Sequence, residues 1–186
     1  MKLRLTPIDE KHLRWIKDQR NRREVQDFCR QPYLLNELNQ EDWLKKSSRD
    51  RDMVPFIVQD DDLPQGSNWV AYAAFSNIDL ISRKAEISYF TALELDGKGY
   101  AEKAIPLVLE YGFRRLGFNK IFTDTFCFNE REIGLMKSVG FKEEGRFVNH
   151  YFKRGKFHDS IPIAIFSSEF VCPEWILKEE TRSKPL

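Results

Sequence analysis

The chain has 186 residues, 41% of them hydrophobic and 32% charged, with a formal net charge of +1. That length suits one domain with a sizeable core, and that balance excludes a strong general attraction to nucleic acid or to anionic membranes. No apolar run approaches the roughly 20 residues that span a bilayer, and Cys29, Cys127 and Cys172 lie far apart without C-x-x-C spacing. Reduced thiols in a cytoplasmic protein, and no metal site, are therefore expected. The opening Met1–Thr6 alternates charged and apolar residues, unlike a signal peptide.

Residues 2–5 read as a short strand. A helix then follows, with Thr6 as its cap, Pro7 at its first position and Asp9 and Glu10 in its first turn. His12 is read as a residue of that helix's surface. Residues 20–33 mix arginines with aromatic side chains, either as a second short helix and a solvated loop or as a segment facing an anionic or planar substrate. Asn39 is expected to cap another helix that turns Trp43 and Leu44 inward. Residues 54–59, 69–75 and 85–91 alternate as strands and predict an antiparallel meander, with Ser76–Asp79 leaving the second strand. Residues 100–116 carry the pattern of a long amphipathic helix stopped by Gly117. A strand over 121–128, a helix from Asn129 to Gly140, and a hairpin of 142–152 with 156–166 complete the core. Trp175 and Ile176 mark a docking tail, and residues 181–186 are expected to fray.

The stretch from Ala85 to Ala104 organises the rest, because a strand there runs into a helix through Gly97-Lys98-Gly99. Such a turn bares backbone N–H groups at the positive end of a helix dipole and can hold a phosphate without a basic side chain. A P-loop is excluded, since Ala92 stands where its first glycine belongs and Gly99 where Ser or Thr belongs. A Rossmann turn is excluded by Glu102 at its third glycine.

Four motifs occur in order: A-E-I-S-Y (85–89), G-K-G-Y-A (97–101), Asn129 at a helix start, and G-F-K-E-E-G (140–145). Together they resemble the GNAT superfamily of N-acetyltransferases, in the branch of ribosomal-protein, spermidine and aminosugar acetyltransferases. The resemblance spans about residues 2–168 and implies an α/β layered fold, with a mixed, mostly antiparallel sheet of six to seven strands flanked by helices. It implies a single acetyltransferase domain over 1–170 with a tail over 171–186. It also implies acetyl-CoA as co-substrate, with Gly97, Lys98, Gly99, Tyr100 and Ala101 at the pyrophosphate. Asn129, Phe90 and Thr91 would lie along the pantetheine arm, and Lys137 near the phosphates.

Three positions depart from the family pattern. Glu94 stands where a Gln or Arg is usual, Met136 where many members carry a tyrosine acid, and Glu132 where some carry serine. Thiolate is a tolerable leaving group near neutral pH, so a water could serve instead. Amine attack still needs a neutral amine, at a cost of about 4–5 kcal/mol for a lysine-like amine and about 1 kcal/mol for an α-amine at pH 7. Glu86 is the first candidate base, with an exposed strand carboxylate as the alternative reading; His150, Tyr151 and Asp159 are lesser candidates. Arg20, Arg30, Tyr33 and His150 are the candidate acceptor-binding residues.

The expected function is acetyl transfer to a primary amine. An aminosugar or nucleotide-linked amine is preferred, because segment 20–43 resembles the region before the core in aminosugar and nucleotide-sugar acetyltransferases and its cations would suit a phosphorylated acceptor. A protein N-terminus comes next, and a polyamine is disfavoured by the same basic charge. A non-catalytic acyl-CoA sensor is the rival from another class. The oligomeric state is left between monomer and homodimer.

Overall fold

The computed structural model of the chain describes residues 1–49 and 52–177. Eight strands form one sheet: β1 (Leu3–Pro7), β2 (Val54–Asp60), β3 (Trp69–Asp79), β4 (Lys84–Thr91), β5 (Lys120–Phe126), β6 (Lys142–Glu143), β7 (Phe147–Lys153) and β8 (Lys156–Phe166). Their order is β1-β2-β3-β4-β5-β8-β6, with β7 also on β8, and among the described residues the one parallel pairing is β4 with β5. The helices are α1 (Glu10–Arg20), α2 (Arg23–Gln26), α3 (Glu37–Ser47), α4 (Tyr100–Glu110) and α5 (Glu130–Ser138).

Side chains alternate across a strand, so one sheet carries two cores. Phe75, Ile87 and Ile121 pack with Ile105 and Leu109 of α4 and Met136 of α5. On the other face Ile57, Tyr72 and Phe90 pack with Leu13 and Ile16 of α1 and Trp43 of α3. Where α4 passes into a wide π turn at Tyr111–Arg115, a Cβ on Gly112 would sit 2.6 Å from Phe75 Cζ and 2.8 Å from Ile121 Cδ1. Only a residue without a side chain lets that backbone approach the sheet so closely.

Several expectations are corrected. Thr6 and Pro7 belong to β1, paired with β2, and α1 is capped by Asp9. His12 is 2% exposed, not a surface residue. Its Nδ1 accepts the Asp9 N–H at 2.9 Å, taking the glutamate's place in a capping box, while its ring meets Trp69 edge-on. Asn36 caps α3, because its side chain accepts the Asn39 N–H at 2.8 Å. The second meander strand continues to Asp79 through a bulge in which Asn77 takes a left-handed φ of 49°. The arm expected over 142–152 breaks near Gly145 (φ 155°) into β6 and β7, both paired with β8, which accounts for the eighth strand. Ile176 in the tail is buried, while residues 181–186 lie outside the described residues.

Candidate active site

β4 and β5 pair only from Lys84–Glu86 to Lys120–Phe122. Beyond that contact the two strands part, and the main-chain groups that β4 turns toward β5 have no ladder partner there. β4 then leads through a 3₁₀ turn at Leu93–Leu95 to Gly97 (φ 71°) and Gly99 (φ 76°), the residue just before α4. These left-handed angles suit glycine, and a Cβ at either would meet nothing within 4 Å, so the space above the turn is open. A cavity of about 330 Å³ lies there, lined by Thr91, Gly97, Gly99 and Ala101 and, from α5, by Arg131 and Ser138.

Among the residues assigned to the coenzyme, Thr91, Gly97, Gly99, Tyr100 and Ala101 line this cavity. Tyr100 turns its ring into the core, where its hydroxyl donates to Asp60 at 2.8 Å. Lys98 is exposed outside the lining. Phe90 stacks on Tyr72, with 5.1 Å between ring centroids. Asn129 caps α5, accepting the Glu132 N–H and donating to Thr125 Oγ1, both at 3.3 Å. Lys137 does not reach the cavity and pairs with Glu143 at 2.7 Å. The cation that does face the turn is Arg131, which sequence reasoning missed; it holds Asp96, whose carboxylate also accepts the Gly97 N–H at 3.0 Å. An internal carboxylate thus already sits where main-chain donors and a guanidinium converge on an anion. Glu94 is held by Arg22 and by Gln19 of α1, so its charge is matched locally.

A second cluster bridges β4 and β5 where their pairing ends. Glu86 is 6% exposed, not an exposed strand carboxylate. One of its oxygens accepts from Arg30 and the other from Asn77 Nδ2 at 2.6 Å. Arg30 also donates to Asp124 Oδ1 at 2.6 Å, so one guanidinium bridges carboxylates of β4 and β5. Burial pulls the pKa of Arg30 down, but the Glu86 charge and the hydrogen bonds with Tyr151 and Glu86 lift it above its ordinary value. Tyr151 donates to Asp124 Oδ1 at 3.1 Å. Asp124 Oδ2 is buried without a hydrogen-bond partner, with His150 Nδ1 3.6 Å away. A bulge at Asn149 (φ 50°) turns His150 onto Ser160 Oγ at 2.7 Å.

The structure therefore gathers Glu86, Arg30, His150 and Tyr151, but leaves three other candidates apart. Tyr33 is 73% exposed. Arg20 ends α1 near Tyr72 and Cys29, with Nη1 buried and unpartnered. Asp159 is held by Arg146 at 2.6 Å and by the Asn149 N–H. Asp124 and Asn77 were not foreseen; Asp124 is half-buried and Asn77 exposed, and nothing in the local sequence marks either.

On the opposite face of β4 the Tyr89 hydroxyl donates to Glu132 Oε2 at 2.6 Å. Met136, one turn further along α5, is fully buried. Among the described residues no group of three or more His, Cys, Asp or Glu side chains could hold a metal, and no helix is long and apolar enough to cross a membrane.

An opened sheet that leads into a glycine turn at a helix N-terminus is the build of an acyl-coenzyme A-binding transferase. The family model for the acetyltransferase (GNAT) domain matches residues 2–142. A spermidine N(1)-acetyltransferase of Vibrio cholerae is 29% identical over 171 residues, covering 91% of this chain and 95% of that protein. The crystal structure of spermidine N-acetyltransferase from Vibrio cholerae in complex with CoA and spermine superposes with a TM-score of 0.84 at 28% identity, covering 90% and 97% of the two chains. A putative ribosomal N-acetyltransferase of Bacillus subtilis is 31% identical over 94 residues, covering 50% of this chain and 51% of that protein. The chain belongs to the GNAT acetyltransferase family and is an acetyl-CoA-dependent N-acetyltransferase. None of these three relatives is named for an aminosugar or a nucleotide-linked amine. The arginines that favoured a phosphorylated acceptor are matched internally, Arg22 by Glu94 and Arg30 by Glu86 and Asp124.

Proposed function

We propose that the acetyl acceptor is a small polycationic amine of the polyamine class. The observation that carries this reading is the carboxylate pair of Glu86 and Asp124, which closes around a half-buried guanidinium where β4 and β5 part. A pair that holds one cation can hold another, and buried carboxylates demand a cationic partner. The 29% identity to a protein named for spermidine supports the same choice.

In this reading Gly97, Gly99, Ala101 and Arg131 hold the coenzyme diphosphate, which fits the open turn and its converging donors. The parted edge of β4 receives the amides of the pantetheine arm, as an added strand would. The acceptor ammonium approaches Glu86 and Asp124, and Glu86 takes its proton directly or through a water, freeing the lone pair for attack on the thioester carbonyl. Thiol release from acetyl-CoA, followed over spermidine, spermine, glucosamine 6-phosphate and an N-terminal Ser-peptide, tests the choice. Turnover of spermidine above the other amines is expected; turnover of the sugar alone overturns it.

A protein N-terminus is the second reading, supported by the relative named as a putative ribosomal acetyltransferase. An α-amine also needs less help in losing its proton. Preferential turnover of the peptide would favour it.

A further inference from the structure

We propose that Tyr89, backed by Glu132, is the acid that returns a proton to the departing coenzyme A thiolate. This inference rests on acetyl transfer from acetyl-CoA and not on the choice of amine. Alternation places Tyr89 on the same face of β4 as Ile87 and Thr91, opposite Glu86. Thr91 lines the donor cavity, and Tyr89 is the next residue inward on that face. Across from it, Glu132 follows Arg131 and precedes Leu135 on α5, and both of these line the cavity as well. The Tyr89–Glu132 contact of 2.6 Å therefore stands at the inner edge of the donor site, across the strand from the proposed base. The position where many family members carry a tyrosine holds Met136, buried and without a proton to give.

Burial pushes the Glu132 carboxyl above its ordinary range, against the Tyr89 hydrogen bond and Arg131, which pull it down. Burial likewise lifts the Tyr89 phenol, and the Glu132 charge lifts it further. The groups that face the pair are Glu102 of α4 and Arg131 of α5. A phenol held that high is a reluctant acid alone. Once Glu132 takes up a proton that charge is gone and the contact reverses: Glu132 donates to the Tyr89 oxygen, the phenol turns its own proton toward sulfur, and Tyr89 need never become a phenolate. As the amine nitrogen bonds to the carbonyl carbon, the C–S bond breaks and sulfur keeps the electron pair. The Tyr89 proton passes to sulfur while the Glu132 proton passes to the Tyr89 oxygen, leaving a Glu132 carboxylate. The proton released by the amine, returned through solvent, restores it.

Thiol release from acetyl-CoA is followed with spermidine and, in parallel, with hydroxylamine, so that a wrong acceptor is not mistaken for a missing acid. Tyr89→Phe keeps the ring and is expected to lower kcat by about 10²-fold, with acetyl-CoA affinity unchanged by calorimetry. In the parent protein kcat is expected to fall as pH rises through the Glu132 ionisation; Glu132→Gln is expected to lower kcat and remove that fall. Infrared titration of the unliganded protein is expected to show a carboxyl ionising above the ordinary glutamate range, lost in Glu132→Gln and shifted upward in Tyr89→Phe. A Glu132 carboxyl that titrates in the ordinary range overturns the assignment. So does a Tyr89→Phe protein whose kcat stays within about twofold of the parent.

Discussion

The donor turn and the carboxylate cluster are built in opposite ways. From Thr91 to Ala101 the site is main chain, eleven residues of continuous sequence with two left-handed glycines and a helix start. The cluster on Glu86 is side chain, and it draws Arg30, Asn77, Asp124 and Tyr151 from places up to 121 residues apart. A site made of backbone tolerates changes of side chain around it. A site made of converging charges fails when one member is lost, because the others remain buried and unmatched.

That contrast is broken most sharply at Glu86. Glu86→Gln keeps the shape and a hydrogen-bonding group but not the charge, and kcat is expected to fall by about 10²- to 10³-fold with acetyl-CoA affinity unchanged. Rates against pH in the variant and parent, with calorimetry on both, check it. Asp124→Asn is expected to raise KM for spermidine by about tenfold while kcat moves less, since a charged hydrogen-bonded partner contributes roughly 1.5–3 kcal/mol. An unchanged KM would remove Asp124 from the acceptor site. The donor side responds more gently. Arg131→Ala is expected to weaken acetyl-CoA binding by about five- to tenfold, as loss of one charge-assisted contact to phosphate does. Lys137→Ala, whose cation is turned to Glu143, should leave the calorimetric affinity as it was.

The smallest effect lies outside both sites. Burial lowers the pKa of His12 below its usual 6.5, ahead of the smaller influence of Lys11. The unfolded chain therefore takes the proton first on acidification, so stability contributed by the neutral ring is present above 6.5 and is lost as pH falls through 6.5 toward the folded value. His12→Gln keeps an acceptor for the Asp9 N–H, and its melting temperature should lose that part of the pH slope.

What could be read from sequence divides along the same line. The glycine turn, the α4 start and most strands were legible, because φ > 0 and hydrophobic period are local properties. Residues 142–152 alternate throughout, yet they split at Gly145, and the two pieces pair with successive stretches of β8, residues 163–164 and residues 156–160. Thr6-Pro7 has the form of a helix start, but pairing with Ile57 and Phe56 keeps those residues in β1. Arg30 looked like a surface cation available to a phosphate. Its partners Glu86 and Asp124 lie 56 and 94 residues away, so no local pattern could assign it. Asp124 itself sits between two threonines in an ordinary strand.

The short contact between β4 and β5 has a further consequence. Three residues of each strand are paired, and past them the sheet is left unzipped down its middle. An amide-bearing molecule laid in that gap would act as a ninth strand, stitching the β1–β4 half to the β5–β8 half. Occupancy would then slow deuterium uptake at β4 residues 87–91, far more than at the outer strand β1.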